Sequence, residues 1–426
     1  MKTRIMMLMM FFLPASLTSS QELTLSNIFH DSFTFFQLLR QDNGVYRDAL
    51  RFDGNHFHPA SISATGMGLI SLCIADEMGW ITNAEHLAET TLQTVTGKNP
   101  PFTPDRNASG YFRHWLNLTS GAQAWNSEYS TIDTAILAAG ANFCSRYFQS
   151  PSIQSLFHEL WASIDWTRSI ADPAAGKIYL ELNEDGSGKT GSVTAPFSEY
   201  MLVAWLAMKK EQQNNEKGPA SELWNRHYAH PENLPKTDYK TIPLLTDQPG
   251  RCLSHFTLQF AYYLCHDFTM SAEYMQYLNH ARNADQLWWS ANDHRQENEW
   301  GLGAGSVAYS PGYHADAINN NRGAYISPHI IAGFLPVYKE GVNDLAALLT
   351  RKECLYKLPG AESAYALWRI SAEDRTWKAP DIQGVDYALM LFGLASLPDF
   401  LGSDFFPAYN DLAAPLSVNR WDMEKR

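Results

Sequence analysis

Apolar residues recur at helical spacing through most of this chain. Residues 65–78 (TGMGLISLCIADEM) are apolar on nearly every side, the pattern of a buried helix, and Gly79 supplies a natural stop. Ile81 and the capping-box pattern Thr82-Asn83-Ala84-Glu85 then open an amphipathic stretch that ends near Gly97. A buried helix followed by an amphipathic one is a helix pair. The alternation continues through 130–147, 153–164, 198–208, 254–265, 326–336, 344–350 and 386–397. No fixed repeat period accompanies it, which favours a closed toroid of helices over a solenoid. The expected fold class is therefore all-α. Long polar, Gly-rich and aromatic stretches at 99–126, 172–196 and 292–325 interrupt the pairs, and connections of that length are uncommon unless functional. Within them, 112–118 and 177–182 suit short strands of hairpins on one rim. The polar stretch 211–240 is an excursion inside one domain, because both its flanks are apolar and helical.

The first residues depart from this pattern. Lys2 and Arg4 precede an apolar run at 5–13 (IMMLMMFFL) and small polar residues at 16–20, the order of a secretory signal. The run is far shorter than the roughly 20 residues of a transmembrane helix. The expectation is a signal peptide at 1–20, a single domain at 21–426, a secreted or periplasmic location and no stable membrane insertion. The net charge of −13 and the lack of any Lys/Arg-rich run argue against nucleic acid as a partner. A neutral polysaccharide suits such a surface. The aromatic content of 13% suits it too, because a pyranose offers apolar C–H faces to rings, although large cores also use them. Of the five cysteines, Cys252 and Cys265 are the pair best suited to a disulfide, and an odd count in a large domain requires none.

Three carboxylates stand out by position. Asp133, Glu199 and Asp386 each follow an aromatic-containing loop and fall in the expected first turn of an apolar helix. In a toroid whose inner helices run parallel, those turns share one rim and the acids converge on one cavity. Glycoside hydrolysis needs such a set: an acid to protonate the leaving oxygen, and a base or nucleophile on the other face of the sugar. Each acid alone also suits a capping role, and Ser130-Thr131-Ile132-Asp133 is itself a capping-box pattern. The cluster Tyr111-Phe112-Arg113-His114-Trp115 is either a sugar-stacking rim or the packed root of a hairpin; the stretch through Tyr313 and His314 is similar. His56 and His58 have ligand spacing on a strand but no evident third ligand, so no metal is expected. The glycines after Trp300 follow no apolar strand, and no GxSxG elbow occurs.

Taken in order, these segments resemble the glucoamylase-like (glycoamylase) family, which includes bacterial endo-β-1,2-glucanases and domains of cyclic β-1,2-glucan synthases. The resemblance is carried by Thr65-Gly66-Met67-Gly68, His114-Trp115, Ser130-Thr131-Ile132-Asp133, Phe197-Ser198-Glu199-Tyr200, Trp300-Gly301-Leu302, Pro311-Gly312-Tyr313, Ile326-Ser327-Pro328 and Gly384-Val385-Asp386. It implies an (α/α)6 toroid and a cofactor-free glycoside hydrolase, expected as a monomer acting on a glucan poly- or oligosaccharide. It also implies Glu199 as general acid, Asp386 as base and Asp133 as a substrate-binding or water-orienting group. Tyr111, Arg113, His114, Trp115, Trp300, Tyr313 and His314 are the matching candidates for substrate contact. Two alternatives from other classes remain: a non-catalytic carbohydrate-binding toroid and a polysaccharide lyase.

Overall fold

The computed structural model describes residues 23–52, 58–309, 311–361 and 363–412. The expected signal peptide and His56 lie outside them. Fourteen α-helices are present among the described residues: α1 (Leu25–Leu39), α2 (Ile62–Glu77), α3 (Ala84–Val95), α4 (Thr131–Phe148), α5 (Pro151–Ala162), α6 (Met201–Gln213), α7 (Pro219–Leu223), α8 (Phe256–Leu264), α9 (His266–Thr269), α10 (Ala272–Ser290), α11 (Pro328–Gly333), α12 (Gly341–Leu349), α13 (Gly384–Ala395) and α14 (Phe405–Tyr409). The fold is mainly helical, with short antiparallel strand pairs.

Six helices pack in a cycle. The contacts run α2 to α4, α4 to α6, α6 to α8, α8 to α11, α11 to α13, and α13 back to α2. These are the segments that are apolar all round; in α2, residues 62–75 are all buried. The amphipathic helices cover them: α3 packs on α2, α5 on α4, α12 on α11, and α1 on both α13 and α2. A helix with one apolar stripe can serve only an outer position, whereas one apolar on every face must be enclosed.

Glycine permits close approaches within this ring. A Cβ on Gly140 of α4 would stand 2.1 Å from the carbonyl oxygen of Gly66 on α2. No neighbouring flexible side chain can yield there. Gly140→Ala therefore forces the two backbones apart and destabilises the protein by ~1–3 kcal/mol; a thermal melt should show the lowered Tm, while an unchanged Tm would contradict this packing.

The strand pairs fix where the inner helices begin. Ala60–Ser61 pairs with Trp115–Leu116 directly ahead of α2, and Tyr129–Ser130 pairs with Glu181–Leu182 directly ahead of α4. Asp381–Gln383 pairs with Ala49–Arg51 ahead of α13. The excursion at 211–240 contains α7 and one strand of the hairpin Lys236–Tyr239/Ile242–Leu245.

One local expectation is corrected. Asn83 caps α3 without any side-chain hydrogen bond, so the capping box expected at 82–85 does not form. Cys252 and Cys265 are both free thiols. The thiols that meet are Cys73 and Cys144, 3.3 Å apart across the close α2–α4 contact.

Candidate active site

Asp133, Glu199 and Asp386 line one cavity of about 750 Å³. Its wall is built from the N-terminal ends of inner helices: Ser63 of α2, Ile132 and Asp133 of α4, Phe256 of α8, and Val385 and Asp386 of α13. Glu199 stands two residues ahead of α6, in the turn that leads into it rather than in its first helical turn. The Leu202 N–H donates to the Glu199 carbonyl at 3.1 Å and ties that turn to the helix.

The capping role open to Asp133 is not the one its carboxylate performs. Ser130 is the N-cap, and its hydroxyl accepts the Asp133 N–H at 3.2 Å. The Ser130 N–H, which a capping box would offer to the acid, is taken by the Phe112 carbonyl. The Asp133 carboxylate instead accepts the Ser130 hydroxyl at 2.5 Å and faces His114 Nε2 at 3.6 Å. The other ring nitrogen of His114 meets Glu128 at 3.2 Å. Burial pushes the imidazole pKa down, but the charges of Asp133, Glu128 and Asp48 and the Glu128 hydrogen bond outweigh it and raise the pKa to about 9. His114 is therefore a cation at neutral pH, held between two carboxylates.

His114, Glu128 and Asp133 are close enough together to suggest a metal site. In this structure the two acids face opposite ring nitrogens, Glu128 at Nδ1 and Asp133 at Nε2. The set is an ion-pair bridge.

Aromatic rings extend this wall. Trp115 stacks on His114 with centroids 3.9 Å apart, and its indole N–H donates to Asp48 at 3.1 Å. Trp125 meets Trp115 edge-on at 5.0 Å and His58 at 5.7 Å, and is 49% exposed.

The other two acids are shifted upward. Burial raises the Asp386 carboxyl to about 7; Asp48 adds to this, while the Tyr313 hydrogen bond and the Arg369 guanidinium oppose it. The Tyr313 hydroxyl donates to Asp386 Oδ2 at 2.9 Å from the strand Tyr313–Ala315, which pairs with Ala304–Ser306. Burial also raises Glu199 above the usual glutamate range; Asp247 and Asp133 push the same way, against a backbone N–H and Arg251. A helix N-terminus favours the ionised form of an acid. At both sites desolvation outweighs it.

Of the expected contact residues, His114, Trp115 and Tyr313 line the cavity. The others do not. Tyr111 is buried against Trp166, to whose carbonyl its hydroxyl donates at 3.3 Å. Trp300 is 2% exposed and donates its indole N–H to Asp344 at 2.9 Å. Arg113 lies over the Tyr129 ring, bonds the Ser127 carbonyl at 2.8 Å and borders a separate surface groove. His314 is tied to Asp316 at 2.8 Å, and Asp316 also pairs with the buried Arg369.

Residues not expected to contact substrate complete the wall. Asp48, Arg51, His58, Ser306, Asp381 and Gln383 line it. Asp381 accepts hydrogen bonds from Arg51 at 3.3 Å, from Gln383 at 2.8 Å and from the Ser306 hydroxyl. The available signal was Asp381 itself, in the aromatic loop that leads to Asp386.

The chain thus has a mainly helical fold with three acids gathered in one ring-lined cavity. No protein-family model matches this chain, and no curated protein matches it. Solved structures do. A protein from Bacteroides uniformis assigned as a glucoamylase aligns with a TM-score of 0.72 and 16% identity, over 90% of this chain and 93% of its own. An endo-β-1,2-glucanase from Chitinophaga pinensis, solved with sophorotriose and glucose, aligns at 0.69 and 16% identity over 92% of this chain and 100% of its own. An endo-β-1,2-glucanase from Talaromyces funiculosus, solved with β-1,2-glucan, aligns at 0.61 and 14% identity over 86% and 84%. The chain has the fold of this glucoamylase-like group, in agreement with the resemblance carried by its ordered motifs.

Proposed function

We propose that this protein is an (α/α)6-toroid glycoside hydrolase that cleaves a glucan by general acid/base catalysis. The observation that carries the proposal is the convergence of Asp133, Glu199 and Asp386, from three different inner-helix entrances, on one cavity of about 750 Å³. That volume falls within the usual range for small-molecule sites. The cyclic packing of α2, α4, α6, α8, α11 and α13 supports the toroid.

The three environments differ, and so do the proposed roles. Glu199, raised by burial, is the acid that protonates the departing glycosidic oxygen. Asp386, raised to about 7, takes the proton of the attacking water, because a base works best with a pKa near the working pH. Asp133, paired with the His114 cation and bonded to Ser130, orients substrate or water. Trp115, Trp125 and Tyr313 offer ring faces to sugar C–H groups. From the signal-like segment at 1–20 we infer a periplasmic or secreted location for this activity.

Reducing-sugar release should be measured on β-1,2-glucan, β-1,3-glucan, β-1,4-glucan and starch. One of these should be hydrolysed without added metal and with β-1,2-glucan, the substrate of the aligned glucanases, tried first. Oligosaccharide binding without turnover on all four would leave a binding protein in place of an enzyme.

A further inference from the structure

We propose that Cys73 and Cys144 are joined by a disulfide in the exported protein, a cross-link between the inner helices α2 and α4. Disulfides persist in oxidising compartments, so the bond rests on the export inferred from residues 1–20; it requires nothing of the hydrolase assignment. The two sulfurs stand 3.3 Å apart, and both residues are fully buried. A covalent bond of ~2.05 Å requires them to close by only about 1.3 Å.

Glycine brings the two thiols together. Gly66 and Gly140 let α2 and α4 approach to backbone contact: a Cβ on Gly66 would stand 2.5 Å from the Ile136 carbonyl oxygen. Cys73 lies about two turns beyond Gly66, and Cys144 about one turn beyond Gly140, so both fall on the facing sides. Two helices can be bridged only where their backbones come that close. Both thiols point at one acceptor, the Leu69 carbonyl, Cys73 at 3.5 Å and Cys144 at 3.1 Å. A thiol is a weak donor, so oxidation gives up little hydrogen bonding. Among the described residues, no third side chain is spaced to make this pair a metal site.

The bond forms by exchange with a disulfide oxidant of the glutathione disulfide class. One cysteine, as thiolate, attacks an oxidant sulfur; a mixed disulfide forms and one oxidant thiolate leaves. The second cysteine then attacks the chain's own sulfur in that mixed disulfide. The Cys73–Cys144 bond forms and the second oxidant thiolate leaves. The two cysteine protons pass to the released thiolates, so the chain loses two electrons and the oxidant gains them. In the folded protein burial holds the Cys73 thiol well above its ordinary pKa, and its hydrogen bond with Cys144 adds to this. The exchange therefore belongs to folding, before α2 and α4 are enclosed, and the same burial later shields the bond from reductants. The bond spans 71 positions of chain, including all of α3. It sits in the C-terminal half of both helices, away from the N-terminal ends that bring Ser63 and Asp133 to the cavity. Its work is to hold the helical ring together.

The test uses the full-length protein, unfolded under reductant and refolded by dilution into reduced and oxidised glutathione. Free thiols are trapped with iodoacetamide, and proteolytic peptides are read by mass spectrometry without reduction. The refolded protein should yield one cross-linked pair, Cys73 with Cys144, lighter by two hydrogens than the separate peptides. Cys252, Cys265 and Cys354 should be alkylated. Its Tm should exceed that of the same protein refolded without oxidant by ~5 °C, the shift expected of a cross-link over so long a loop. Alkylation of both Cys73 and Cys144 in the refolded protein, or pairing through another cysteine, overturns the proposal. Because glutathione supplies the oxidant, neither result depends on where residues 1–20 send the chain. Should dilution give only aggregate, the same peptides are read from the chain exported to a bacterial periplasm behind the host's own signal sequence, and the same two results decide.

Discussion

A Glu199→Gln variant should bind glucan as the unsubstituted protein does and lose ~10²–10⁴-fold in kcat, the usual contribution of one general acid. The substitution keeps the shape of the side chain and removes only its acidic proton. Glu199 sits in a turn tied to α6 through its own carbonyl, so the exchange leaves the backbone anchored. The loss should depend on the leaving group. A glycosyl fluoride departs without protonation, and on that substrate the variant should recover most of the lost rate. Full activity on glucan would remove Glu199 from the mechanism. An equal loss on glucan and on the fluoride would make it a binding residue.

Glu199, Asp133 and Asp386 were legible in the sequence because each marks a boundary. An aromatic-containing loop ends, an apolar helix begins, and an acid stands at the junction. Short-range pattern suffices for that, and the inner helices were legible for the same reason. The opposite wall of the cavity was not. Asp48 and Asp381 belong to the junction of Ala49–Arg51 with Asp381–Gln383, a pairing of three residues per strand between distant parts of the chain. Strands so short carry no periodicity, and nothing local announces their partner. Tyr111 and Trp300 were misplaced for a different reason. Aromatic residues in Gly-bearing loops look alike whether the loop stands up as a rim or folds back. Here it folds back: Tyr111 finds a carbonyl and Trp300 a carboxylate inside the protein. Helices α1 and α10 also escaped the pattern. In α10 the buried positions Tyr274, Leu278, Ala281, Asp285 and Trp289 keep helical spacing, but one is a carboxylate and the rest of the helix is polar. The Asp285 carboxylate is buried because it accepts the N–H groups of Gly301 and Leu302, a loop contact invisible from α10 alone.

The second large effect falls on Asp386. Asp386→Asn should lower kcat by ~10²–10⁴-fold, since an amide cannot accept the proton of the attacking water. The pH dependence of kcat/KM gives a sharper test. Asp386 acts as a base only when ionised, and burial places its pKa at about 7. One limb of the profile should therefore lie near pH 7, with Asp386 inactive below it. Tyr313 donates its hydroxyl to this carboxylate at 2.9 Å and so stabilises the charged form. Removing that donor disfavours ionisation, so Tyr313→Phe should move the Asp386 limb to higher pH. A hydrogen bond to a charged group is worth ~1.5–3 kcal/mol, and one pKa unit is ~1.4 kcal/mol, so the shift should be about one to two units. The ring itself remains, and so does its stacking face, which keeps KM close to its original value. The limb set by Glu199 should stay in place, because Tyr313 acts on Asp386 through a direct bond and on Glu199 through none. A shift toward lower pH would contradict the hydrogen-bond direction. A profile with no limb near 7 would show that Asp386 is not the group whose ionisation the reaction needs, and Asp133, already ion-paired to His114, would become the first candidate for the base.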